Sequence, residues 1–127
     1  MATDFNSSTP LYMQIIDYIK GEIISGKRSA GSKVESVRDM AQTMGVNPNT
    51  VQRAFAELER QGLMYSERTS GRYITTDEKL VRTIKENSVM QIVKDFVDAM
   101  VKSGFTEDDI VRLIKEYFEG GSNNAGN

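Results

Sequence analysis

Two carboxylate clusters are the first places to look for chemistry in this chain. Asp108 and Asp109 are adjacent, and Glu57 and Glu59 lie two residues apart. A pair of carboxyls can divide acid and base roles when their surroundings push the two pKa values apart. Here neither pair has a partner or a cleft that the sequence suggests. The 127 residues contain no His and no Cys. That removes Ser-His-Asp and Cys-His nucleophiles, thiolate chemistry, disulfides and zinc held by its usual ligands. Asp108–Asp109 reads as the acidic first turn of a helix, favourable to its dipole. Glu57 and Glu59 read as an exposed helical face. No enzyme is expected, and no catalytic residue, metal or cofactor is assigned.

A second constellation is suited to binding. Asn47, Asn49, Thr50, Gln52 and Arg53 fall in the N-terminal half of one short helical pattern. They are compact or able to make bidentate contacts to base edges. A merely solvated face favours Glu and Lys, as Glu57, Glu59 and Arg60 do further along. The overall charge argues the other way, since a net charge of −2 and a pI near 5.2 are unusual for a nucleic-acid binder. The average hides an asymmetry. Residues 1–75 carry 9 basic and 8 acidic side chains, residues 76–127 carry 7 and 10, and the stretch from Lys27 to Arg72 carries 8 and 5. The only basic region is central, and the acidic excess is C-terminal.

The elements that must position these groups can be read from caps and periodicity. The first helix is expected from Thr9 as N-cap and Pro10 at the first helical position, with Leu11, Ile15, Ile19 and Ile23 on its packed stripe and Gly26 as its stop. Residues 26–35 form a loop that could close with a short strand at Lys33–Glu35. Ser36 caps a second helix that stops at Gly45. Asn47 caps a third, with Pro48 at its first position, Val51, Phe55 and Leu58 inward, and Gly62 at its end. Residues 63–67 and 72–75 read as the strands of a hairpin around Thr69, Ser70 and Gly71. Helical pattern returns from Thr76 to Gly104, with Asn87-Ser88 as a possible interruption. Thr106 caps a last helix reaching Glu119, with Asp109 as its capping-box partner and Ile110, Leu113, Ile114, Tyr117 and Phe118 inward. Residues 120–127 are expected to be disordered.

Residues 37–56 are the informative window. Two helices crossing steeply need a small residue at the crossing, and Ala41 is there. The turn needs a residue tolerant of positive φ four positions later, and Gly45 is there. Met40, Met44, Val46, Val51 and Ala54 seal the junction. This is the spacing of a helix-turn-helix, whose second helix enters the DNA major groove. The ordinary alternative is a helical hairpin buried in a core. The hairpin that follows favours a winged helix. The fold expected is thus mainly α with a small β-hairpin wing: an N-terminal winged helix-turn-helix over residues 1–75, then a two-helix segment over 76–119.

The run from Glu35 to Ile74 resembles the winged-helix domain of the GntR transcriptional regulators. The sub-pattern GVNPNTVQRA, with STPLYMQI upstream, is similar to the YtrA-like subfamily. The resemblance covers residues 5–75 by motif and 76–119 by length and helical pattern. It implies DNA contacts at Ser36 and Arg38, which open the second helix, and at Asn47, Pro48, Asn49, Thr50 and Gln52, with Arg53 on the next turn of the third. Many relatives have Arg at the position of Pro48, so contacts here shift towards amides and hydroxyls. Relatives usually carry Pro where this chain has Glu35. Their wing tip is Arg-Arg-Gly-Arg-Gly, against Glu67-Arg68-Thr69-Ser70-Gly71 here. A minor-groove wing wants positive charge and close backbone, so weak insertion is expected. Arg68 and Arg72 remain as phosphate contacts and Gly71 as the close backbone. The subfamily uses its two C-terminal helices to dimerise. Larger relatives sense metabolites through a bigger C-terminal domain, so a small-molecule effector is not expected.

Val89, Ile92, Val93, Phe96, Val97 and Met100 form a stripe too wide for one short helix to cover. A second subunit could cover it, placing two recognition helices on successive major grooves; the alternative is packing onto the chain's own first helix. Residues 1–10 are polar, unlike a signal peptide, and no apolar run approaches the roughly 18 residues of a membrane span. A cytoplasmic, homodimeric regulator of double-stranded operator DNA, acting as a repressor, is the leading expectation. The second is a winged-helix protein-interaction adaptor without sequence-specific DNA binding, favoured by the acidic pI and the neutralised wing.

Overall fold

The computed structural model describes residues 5–121. In chain order they form α1 (Leu11–Ile24), α2 (Val37–Met44), α3 (Pro48–Arg60), β1 (Met64–Glu67), β2 (Gly71–Ile74), α4 (Glu78–Lys102) and α5 (Glu107–Glu116), then a π-helical turn at Tyr117–Gly121. This is the mainly helical fold with a two-stranded wing that the sequence leads one to expect. The chain divides into two compact units between Lys85 and Glu86, within α4.

The first unit is built on the contact of α1 with α3. Ile15, Ile16, Ile19 and Ile23 of α1 share one core with Val51, Ala54, Phe55 and Leu58 of α3. The three- and four-residue spacings put each set on one helical face. Met40 and Ala41 of α2 and Leu63, Met64 and Ile74 of the hairpin region complete the core, and Val81 and Ile84 from the first turns of α4 pack against it. Among the described residues no buried side-chain nitrogen or oxygen lacks a hydrogen-bond partner.

The start of α1 differs from expectation. Pro10, not Thr9, holds the cap position, and no side chain caps the helix. Gln14 intervenes. Its side-chain amide donates to the carbonyls of Asn6 and Thr9, both at 2.7 Å, and its Oε1 accepts from the Asn6 N–H at 2.8 Å. The entering segment is thereby fastened to the first turn. Asp77, which the sequence reading passed over, accepts from the Leu80 N–H at 3.0 Å and so caps α4.

The hairpin pairs Met64 with Ile74, Tyr65 with Tyr73, Ser66 with Arg72 and Glu67 with Gly71. Gly71 therefore belongs to β2, one residue earlier than expected, at φ 120°. The strand expected at Lys33–Glu35 is only a bridge from Lys33 to Tyr73. It is framed by bonds from the Val34 N–H to the Arg72 carbonyl and from the Ile74 N–H to the Ser32 carbonyl.

In the second unit α4 runs unbroken through Asn87 and Ser88. Thr106 and Asp109 form the expected capping box of α5. The helix ends at Glu116 and the chain continues as the π turn, so the expected boundary at Glu119 is corrected. The inward assignment is corrected as well. Ile110 is buried and Leu113 half-buried, but Ile114, Tyr117 and Phe118 are exposed, Phe118 to 71%. Val89, Ile92, Val93 and Phe96 are exposed too, Ile92 to 67%, while Val97 and Met100 are half-buried. A ten-residue α5 has too little apolar surface to cover this stripe. Of the segment expected to be disordered, Gly120 and Gly121 lie in the π turn and 122–127 lie outside the described residues.

Candidate nucleic-acid interface

The interface is assembled by two capped helix starts and the turn between them. Ser36 Oγ accepts from the Asp39 N–H at 3.0 Å and so opens α2. Asn47 Oδ1 accepts from the Asn49 N–H at 2.7 Å and opens α3, with Pro48 at its first turn. Between them Gly45 sits at φ 70°, a left-handed conformation that costs any residue with a Cβ. The Val46 N–H closes the turn on the Ala41 carbonyl at 3.0 Å. Ala41 and Val51 are buried on either side. The turn therefore fixes the angle at which α3 leaves α2.

This local structure sorts the expected binding residues. Asn47, Pro48, Asn49, Gln52 and Arg53 are exposed along the first turns of α3, and Thr50 is half-buried. Asn49, Thr50 and Arg53 are brought together in a cleft of about 340 Å³ with Leu11 and Tyr12 of α1. Tyr12 is not among the residues that the sequence singles out for binding. Its ring lies 3.7 Å from the Arg53 guanidinium carbon. Only the i, i+4 step from Tyr12 to Ile16 hinted at it, and that hint is the same for any packed aromatic. Arg38 is exposed on the first turn of α2. Neither Arg38 nor Arg53 is in an ion pair among the described residues.

The wing is less open than its sequence suggests. Arg68 is exposed at the tip. Arg72 donates from Nε to Glu59 of α3 at 2.9 Å, stands 5.2 Å over the Phe55 ring and is only 24% exposed. Ser66 also donates to Glu59. One carboxylate thus ties both wing strands to the back of α3. Glu35, beside Ser36, accepts two bonds from Arg28, which also donates to Glu22. The Arg28 hydrogen bonds hold the Glu35 carboxyl below its ordinary value and push the Arg28 guanidinium up.

Three of the four clustered carboxylates, Glu57, Glu59 and Asp109, are engaged in bonds within the chain. Glu57 accepts from Arg60 and Gln61, which hold it down to about 2. Asp109 accepts from the Thr106 N–H at 3.0 Å, the main reason its carboxyl is lowered. No group of three or more carboxylates among the described residues is placed to share a metal ion.

A three-helix core with a helix-turn-helix and a two-stranded wing defines a winged helix-turn-helix protein. The family profile for bacterial regulatory proteins, gntR family, matches residues 11–74. The chain belongs to the GntR family, and within it to the YtrA-like group. It is 36% identical over 121 residues to the HTH-type transcriptional regulator YhcF of Bacillus subtilis, spanning 95% of this chain and 100% of that one. It is 34% identical over 116 residues to the HTH-type transcriptional repressor YtrA of the same organism, spanning 89% and 88%. A GntR family transcriptional regulator from Listeria monocytogenes has a similar structure, with TM-score 0.72 and 38% identity over 88% of this chain and 98% of that one. The DNA-binding domain of AraR, solved in complex with operator ORX1, matches with TM-score 0.54 and 26% identity over 59% of this chain and 95% of that one. The protein is thus a GntR-family DNA-binding transcriptional regulator. No helix among the described residues is long and apolar enough to cross a membrane.

Proposed function

We propose that this protein is a cytoplasmic repressor that binds a near-palindromic operator as a homodimer, with residues 1–75 reading DNA and 76–119 pairing the subunits. The carrying observation is the exposed apolar stripe of Val89, Ile92, Val93 and Phe96, continued by Val97 and Met100. Apolar side chains left in water at this density favour association, at roughly 25 cal/mol for each Å² they bury. A second copy covers like with like and supplies a second recognition helix. Repression follows from occupancy of a promoter and needs no chemistry. The relative YtrA, a repressor by its name, supports that sense.

Within each subunit Asn49, Thr50 and Gln52 address the major groove, Arg53 contacts DNA from the next turn of α3, and Pro48 lets the backbone approach. The side-chain oxygens of Ser36 and Asn47 are used in capping, so Ser36 acts by orienting the helix start and Asn47 retains its amide nitrogen for DNA. Arg38 and Arg68 contact phosphates. Gly71 allows the wing backbone to come close, and Arg72 reaches a phosphate through the Nη edge that Glu59 leaves over. No cofactor or small-molecule effector takes part. Selection of binding sites from a random duplex library at moderate salt tests the reading. Enrichment of one two-fold symmetric sequence is the expected result. Enrichment of none would leave the adaptor role in its place.

A further inference from the structure

We propose that Tyr12 of α1 is a positioning residue for Arg53 of α3, holding its guanidinium so that its edge meets a DNA phosphate. The proposal rests on the reading of α3 as the recognition helix. Arg53 lies 3.7 Å from the Tyr12 ring centroid, well inside the roughly 6 Å reach of a cation–π contact. Such a contact uses the flat face of the guanidinium. The N–H groups along its edge stay available for a planar, bidentate acceptor, which a phosphate provides.

The rest of α3 shows why Arg53 is singled out. Arg60 is held by Glu57, and the wing's Arg72 by Glu59. Arg53 has no carboxylate partner among the described residues. Its one organising contact is an aromatic ring that is itself fixed, because Tyr12 is half-buried and packs against the core through α1. A long side chain held in this way has less rotamer freedom to lose on binding. The direction of the contact indicates the target. Tyr12 lies outside the helix-turn-helix and draws Arg53 sideways across the cleft it shares with Leu11, Asn49 and Thr50. A side chain drawn off the flank of a helix lying in a groove faces the groove wall, where the phosphates are.

The test uses the full chain and two duplexes, the selected operator and a scrambled version, with Tyr12→Phe, Tyr12→Leu, Arg53→Ala and the Tyr12→Leu/Arg53→Ala double variant. Tyr12→Phe keeps the ring and should bind like the parent. Tyr12→Leu should weaken binding to both duplexes about two- to fivefold and reduce the salt slope by about one. In the Arg53→Ala background it should change nothing further. An equal loss from Tyr12→Leu with or without Arg53 would show that the ring acts only through the fold, and thermal melts of the same variants would register that directly. A loss confined to the operator would make the contact one to a base and overturn the phosphate assignment. If Arg53→Ala weakens binding and Tyr12→Leu does not, α3 remains the recognition helix and the positioning role is wrong. If Arg53→Ala itself binds like the parent, the reading of α3 fails together with the proposal.

Discussion

Arg38 and Asn49 are both exposed at helix starts, yet they differ in what they can tell apart. A guanidinium answers any phosphate, whereas an amide can distinguish bases by pairing a donor with an acceptor. Arg38→Ala should therefore weaken binding to matched and scrambled duplexes by the same factor. Asn49→Ala should lower the ratio between them, at a cost of about 1–3 kcal/mol for one good bidentate contact. Titrations of both variants on both duplexes decide this, and identical ratios would refute the division of roles. Glu35 makes a different kind of prediction. Its carboxyl is lowered chiefly by the Arg28 hydrogen bonds, so its contribution is present above the ordinary value of 4.5 and lost as pH falls through the lowered one. Half of its side chain is exposed, so solvent screening keeps that contribution small. Urea midpoints of the parent should exceed those of Glu35→Gln near neutral pH and converge with them in acid. A gap that does not change with pH would contradict the pairing.

The elements were readable where a single residue type has one strong use. Ser36, Asn47 and Thr106 cap helices as expected because each is followed by the backbone donors it must satisfy. Thr9 has the same chemistry but does not cap, because the helix starts one residue later and Pro10 holds the cap position. Gln14 instead fastens the entering segment through the Asn6 and Thr9 carbonyls, a contact that a cap rule does not contain. Arg72 gives a second case. Its charge advertises phosphate binding, but its pairing with Glu59 joins residues 13 positions apart, and only the folded hairpin brings them together. Gly45 was legible because its φ of 70° follows from the turn itself. A Cβ at that position would meet nothing within 4 Å, so only the backbone conformation opposes a side chain. Gly45→Ala should then destabilise the protein by about 1–2 kcal/mol without altering the core, as measured by chemical denaturation. An unchanged midpoint would show that the turn relaxes freely.

For the whole molecule, periodicity showed that the stripe from Val89 to Met100 must be covered, but not what covers it. The same limit explains why the helical pattern predicts Ile114, Tyr117 and Phe118 inward while they stand exposed. A helical pattern records burial in the working state, and a single copy is not the working state proposed here. Phe96→Asp tests this, because a charge on the paired face is costly to bury while Phe96 is already 41% exposed in one copy. Sedimentation should find the parent dimeric and the variant monomeric, with helical content retained. A variant that stays dimeric would move the interface elsewhere. Charge has the same two-part logic. A head with 8 basic and 5 acidic residues between Lys27 and Arg72 should bind DNA weakly without sequence preference, and in the dimer proposed above specific contacts from two subunits would then supply most of the affinity. Footprinting on the selected operator is therefore the most direct experiment. Two symmetric protected patches should appear, centred about 10–10.5 base pairs apart or a multiple of that, and both should vanish with Phe96→Asp at protein concentrations that saturate the parent. A single patch, or two patches that survive monomerisation, would contradict a paired winged-helix reader of a two-fold operator.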